Sequence, residues 1–96
     1  MTTHEGHRQR LRRRFLLEGL DNFDEVQVLE LLLFYAIPRR DTNPIAHALL
    51  EQFGSLSGVL EAPVSALAQV PGMGENGATL LQLVTAASRY YMIQRS

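Results

Sequence analysis

The residues of this sequence best suited to binding chemistry lie between Leu67 and Leu81, LAQVPGMGENGATLL. A short apolar-faced segment leads into Val70-Pro71-Gly72-Met73-Gly74, and Ala78 follows the second glycine by four residues. That order reads as a helix-hairpin-helix: hydrophobic, x, Gly, hydrophobic, Gly, then a helix with a small residue at the crossing. Gly72 lets the chain reverse with positive φ, Met73 plugs inward, and Gly74 leaves amides uncovered at the start of the next helix. Such amides, with the positive end of a helix dipole, suit a phosphate oxygen. The expected contacts are the backbone groups of Gly72, Met73, Gly74, Glu75, Asn76 and Gly77, which grip a sugar-phosphate chain without reading bases. Two considerations oppose this. A tight turn between packed helices explains the glycines alone, and Glu75 stands where a working hairpin of this type carries Lys or Arg.

All nine basic residues are arginine, and five of them fall between Arg8 and Arg14. Against Glu5 and Glu18 they leave residues 1–20 at +3 and the remainder at −4, for the net −1 of the whole chain. Periodicity places His7, Leu11 and Phe15 on one stripe of a first helix. Arg8 and Arg12 flank it on one side, Arg10 and Arg14 on the other, and Arg13 lies opposite. Guanidinium matches phosphate and carboxylate equally, so these arginines either contact DNA or pair with the acidic remainder. Arg39 and Arg40, in the interhelical stretch Pro38-Arg39-Arg40-Asp41, are better placed to project.

No enzyme emerges. Glu30 lies in an apolar run without a partner acid, base or metal, so an ion pair with a first-helix arginine is its expected role. His4 and His7 have helical spacing for a metal but lack a third ligand, which leaves capping and packing. Tyr90 and Tyr91 could stack on bases, yet at the end of an amphipathic helix they are expected as core and rim. No catalytic residue, metal site, cofactor or small-molecule substrate is expected. The absence of cysteine excludes disulfides and thiolate chemistry.

Helices must position these groups. Ninety-six residues, 46% apolar and 20% charged, make one globular domain too short for a doubly wound sheet or a barrel enzyme. The longest apolar run, Leu31 to Ile37, has seven residues, so no membrane contact is expected. An arginine-rich start without an apolar core does not read as a secretory signal, and a cytoplasmic location follows as the expectation. Thr3 can cap a first helix that stops at Gly19. Asp24 caps a second, apolar nearly all round and therefore central, to about Ala36. Asn43-Pro44 restarts a helix with Ile45, Ala46, Leu49, Leu50 and Phe53 inward. Gly54 stops it, Ser55 caps a short helix, Pro63 opens another, and a long one runs from about Glu75 to Ile93. The fold class is all-α: a compact bundle of five or six helices in one domain, 1–96. Its parts are an arginine-rich helix (1–20), a helical core (24–60) and the helix-hairpin-helix (63–93). Thr42, Ala46 and Leu49 precede Gly74, Ala78 and Leu81 by 32 residues. This echo makes Leu31 to Leu50 a candidate degenerate first hairpin of a tandem pair, with Pro38–Asp41 as its loop.

Several motifs taken in order resemble a known family. They are His4-x-Gly6-His7-Arg8-x-Arg10-Leu11-Arg12-x-Arg14-Phe15, Leu29-Glu30-Leu31-Leu32-Leu33-Phe34-Tyr35-Ala36-Ile37-Pro38-Arg39-Arg40-Asp41, Phe53-Gly54-Ser55-Leu56, the hairpin, and Arg89-Tyr90-Tyr91. Together they are similar to the amino-terminal domain of RadC-type proteins, across essentially the whole chain. The resemblance implies a helix-hairpin-helix region preceding a JAMM-type, metalloprotease-like domain with an HxH…D zinc motif, and a role in DNA repair. The three histidines, His4, His7 and His47, form no HxH. The chain is therefore expected to be the helical domain alone.

Two functions stay open. The first is a non-enzymatic, sequence-independent DNA-binding module that uses the hairpin amides with Arg39, Arg40, Arg8 and Arg12. The second is a protein-interaction or self-association domain that positions a separate catalytic domain, with DNA binding lost. Net acidity, Glu75 and the absent lysines favour the second.

Overall fold

The computed structural model describes residues 3–96, with side chains from Glu5 onward. Six helices follow one another among the described residues, with no strand: α1 (Thr3–Glu18), α2 (Glu25–Phe34), α3 (Thr42–Phe53), α4 (Leu56–Glu61), α5 (Val64–Ala68) and α6 (Gly74–Arg95). The cap expected from Thr3 and the side chain of His4 lie outside the described side chains.

Local chemistry sets most boundaries. Asp24 caps α2 through a reciprocal box, accepting from Gln27 N at 2.8 Å while its own N–H donates to Gln27 Oε1 at 3.1 Å. Ser55 caps α4 by accepting from Gly58 N at 3.0 Å. The start of α3 differs from expectation. Asp41, not Asn43, is its cap, accepting from Asn43 N at 3.0 Å. Pro44 thus occupies the third helical position, still inside the first turn, where a missing N–H costs nothing. Helix α2 stops at Phe34, two residues short of Ala36, because Ala36 and Ile37 both donate back to Leu33 O in a closing turn.

Helix α2 is central, packed against α1, α3 and α6. Leu29 and Leu33 from α2 meet Ile45, Ala46 and Leu49 from α3, Val59 from α4, Leu67 from α5, and Ala78 and Leu81 from α6. Each fully buried leucine contributes about 2 kcal/mol of transfer free energy. The 32-residue echo has a structural counterpart. Helices α3 and α6 begin 32 residues apart, at Thr42 and Gly74, and bury equivalent positions: Ile45, Ala46 and Leu49 in one, Gly77, Ala78 and Leu81 in the other.

Helix α1 is attached by a smaller cluster in which Leu11 meets Leu31 and Phe34. The expected stripe is only half buried, since Phe15 is exposed with Leu16, Leu17 and Leu20. At the other end, every residue from Ala86 to Ser96 is exposed. Tyr90 and Tyr91 are therefore not core, because the second half of α6 runs past the last element that could cover it.

Candidate nucleic-acid interface

Two loops meet at one end of the bundle. The chain between α2 and α3 contributes Ile37, Pro38, Arg39 and Arg40, and the α5–α6 hairpin contributes Gly72, Met73, Gly74, Glu75 and Asn76. Together they line a single shallow, open groove. Gly72 has φ 90° and Gly74 φ 63°, so both reversals use the left-handed region that glycine enters without a Cβ penalty. At Gly72 a Cβ would stand 2.9 Å from Ile45 Cδ1 and 3.6 Å from Arg40 Nη1, so the arginine head lies against the hairpin backbone. At Gly74 a Cβ would meet nothing within 4 Å. This glycine opens on solvent.

The groove combines two kinds of donor. Helix α6 starts at Gly74 without any side-chain cap, as α5 does after Pro63, whereas α2, α3 and α4 are capped by Asp24, Asp41 and Ser55. Its first amides and dipole face the mouth of the hairpin. Beside them stand Arg39 and Arg40, both exposed, neither held in an ion pair among the described residues. Glu75 is exposed in the same first turn and opposes an incoming anion. At α3 the equivalent helix start carries its own anion, Asp41, so the starts of α3 and α6 are chemically unequal.

Met73 and Gly77 serve the core rather than the surface. Met73 is 2% exposed, and its Sδ and Cε lie 3.2 Å from where a Gly77 Cβ would be, with Ile37 Cδ1 at 3.3 Å. A side chain at 77 would crowd the Met73 plug and Ile37, which explains the glycine there, and Ala78 beside it is fully buried.

Arg8 corrects its expectation. It is only 6% exposed, with Nη1 donating to Phe34 O at 3.2 Å and Nη2 to Ile37 O at 2.7 Å and Arg40 O at 2.6 Å. The guanidinium carbon sits 4.7 Å from the Phe34 ring centroid. Turned inward on the negative end of α2, this arginine reaches no external phosphate. Arg12 is half-buried and lies with Arg10 and Arg13 along a separate depression of α1, away from the groove. Arg14 is engaged locally, donating to Asn22 O at 2.6 Å and lying over the Phe23 ring.

Glu30 also finds a different partner from the arginine expected. Its Oε2 lies 2.8 Å from His7 Nε2, and its Oε1 accepts from Asn43 Nδ2 at 3.3 Å. No arginine reaches it because Arg8, the nearest in sequence to His7, is taken by carbonyls. Among the described residues no three His, Asp or Glu side chains converge on a metal position, and no helix is long and apolar enough to cross a membrane.

The chain resembles UPF0758 protein FN0909 of Fusobacterium nucleatum. The two are 48% identical over 80 residues, covering 83% of this chain and 34% of the relative. The matched part is thus about a third of the relative's length. That likeness supports the RadC-like resemblance carried by the motifs. No family model matches the chain, and no solved structure does.

Proposed function

We propose that this chain is a non-enzymatic, sequence-independent DNA-binding module of a RadC-like protein, with the groove between the Pro38–Asp41 loop and the helix-hairpin-helix as its contact surface. One observation carries the reading: Arg39 and Arg40, free of ion pairs among the described residues, share a groove with Gly72, Gly74 and the uncapped start of α6. Guanidinium heads and backbone amides both hydrogen-bond phosphate oxygens, and neither discriminates bases when confined to the backbone. The module binds weakly and loses affinity steeply with salt.

The experiment is fluorescence anisotropy of labelled duplex, single-stranded and branched DNA across a salt series, with an Arg39→Ala/Arg40→Ala variant alongside. Micromolar binding that weakens with salt, and a salt slope reduced by about two in the double variant, agrees with the reading. Absence of binding at about 100 µM at low salt rejects it.

A second reading rests on the apolar surface away from the groove. Leu16, Leu17, Tyr90, Met92 and Ile93 are each more than 60% exposed, on α1 and on the second half of α6. Such patches mark protein contacts. Under this reading the module also associates with itself or positions a separate JAMM-like domain, and it keeps the hairpin fold without DNA affinity.

A further inference from the structure

Arg39 and Arg40 are long, exposed side chains on a segment without regular structure, so their starting points depend on what holds the backbone of residues 35–41. Arg8 supplies that hold. Its one planar head donates to the carbonyls of Phe34, Ile37 and Arg40, which are the last residue of α2, the middle of the loop and the second arginine. The Phe34 ring under the guanidinium limits rotation of the fork. The adjacent His7 fastens the far side of the same loop: it bonds Glu30, which bonds Asn43 in the first turn of α3. Of two consecutive residues of α1, Arg8 thus grips the loop directly, and His7 reaches the start of α3 through Glu30.

We infer that Arg8 is the positioning residue of the groove, acting on the ligand only through the backbone that carries Arg39 and Arg40. The inference rests on the phosphate-backbone reading above. A lysine in its place keeps the charge but presents a single nitrogen, which cannot reproduce a fork spread over three carbonyls. Arg8→Lys therefore loosens the loop while α1 stays docked through Leu11.

A double-mutant cycle separates positioning from general structural support. The full chain is titrated onto a labelled 20-base-pair duplex at low salt as wild type, Arg8→Lys, Arg39→Ala/Arg40→Ala, and the triple variant. Arg8→Lys is expected to weaken binding about tenfold, and the triple variant to bind within about twofold of the Arg39/Arg40 variant, since residues acting through one another are non-additive. Multiplicative losses would show that Arg8 acts elsewhere and overturn the inference, as would unchanged binding in Arg8→Lys. Amide hydrogen exchange is read in parallel. Faster exchange over residues 35–42, with α5 and α6 unchanged, is the expected pattern; uniform acceleration counts against positioning. If Arg8→Lys does not fold, Phe34→Leu enters the same cycle, since it removes the ring beneath the guanidinium and leaves Arg8 in place. Wild-type protein that binds no DNA, with exchange still accelerated only at 35–42, rejects the DNA reading and its use of Arg8 while leaving the loop clamp standing.

Discussion

Arg8 Nη2 lies 2.6 Å from the carbonyl oxygen of Arg40, so a buried guanidinium holds the backbone of an exposed one. No carboxylate pairs with Arg8 among its hydrogen bonds. Its charge is met by three carbonyl oxygens, one at the end of α2 and two in the loop that follows, and by the face of Phe34. Carbonyl dipoles at a helix C-terminus stabilise a cation, and a buried charge survives only where its donors are satisfied.

Arg8→Met is therefore expected to be costly in a way that Arg12→Met is not. Methionine fills the volume but leaves two buried carbonyls, Phe34 and Ile37, and the part-buried one of Arg40 without this donor, at a cost of about 2–4 kcal/mol. Arg12 is half-buried and makes no such bonds, so its replacement stays within about 0.5 kcal/mol. Urea unfolding followed by circular dichroism checks both. The Arg8 variant lowers the midpoint without changing the slope, and equal midpoints for the two variants would contradict the clamp.

The two hairpin glycines separate folding from binding. At Gly72 a side chain needs positive φ and collides with Ile45, so Gly72→Ala loses about 1–3 kcal/mol. Gly74 also has positive φ, but its Cβ direction is empty, and asparagine tolerates the left-handed region. Gly74→Asn costs about 1 kcal/mol or less by the same comparison. It also places an amide side chain at the start of α6, so DNA affinity falls while the melting temperature drops by only about 4–8 °C or less. Thermal melts paired with anisotropy measure the two effects on the same samples.

How much of this is legible in the sequence differs residue by residue. The helix boundaries at Asp24, Gly54 and Ser55 follow from local cap chemistry, and the inward plug of Met73 follows from hairpin spacing. These are short-range effects that a sequence states directly. Asp41 is hidden as a cap because Asn43-Pro44 is itself a good start signal, and two competing starts two residues apart are decided only by packing. The inward turn of Arg8 has no signature in periodicity, which places it at the edge of the stripe with Arg12. Its partners are main-chain carbonyls 26, 29 and 32 residues away, and carbonyls carry no sequence identity. Glu30 is a partnered buried charge, as its apolar surroundings require. Its partner is a histidine rather than an arginine because Arg8 is already engaged, and that competition exists only in three dimensions.

The Glu30 network makes its own prediction. Glu30 is 2% exposed and bonds His7 of α1 and Asn43 of α3. Glu30→Ala removes both acceptors and opens a small cavity, a loss of about 2–4 kcal/mol. Glu30→Gln keeps an acceptor for Asn43 and a polar partner for His7, and loses about 1 kcal/mol. In a cycle with His7→Ala the coupling energy is expected to be at least about 0.5 kcal/mol. Strictly additive denaturation midpoints would mean that the 2.8 Å contact contributes nothing to the docking of α1.

Glu75 offers the sharpest test of the groove, because its substitution should improve function. It is exposed in the first turn of α6, where its charge favours the helix dipole but repels an anion at the hairpin mouth. Glu75→Lys reverses both effects. The helix loses about 0.3–1 kcal/mol from an unfavourable cation at its N-terminus. DNA affinity rises about tenfold at low salt, and the slope of log affinity against log salt steepens by about one, as one more phosphate is neutralised. Anisotropy titrations at three salt concentrations suffice. If the hairpin faces a protein instead, the variant is slightly destabilised and binds DNA no better than wild type. A gain in affinity with no change in slope would mean that the substitution acts by removing a local repulsion, with the new ammonium not touching the backbone, and would place the phosphate nearer Arg39 and Arg40.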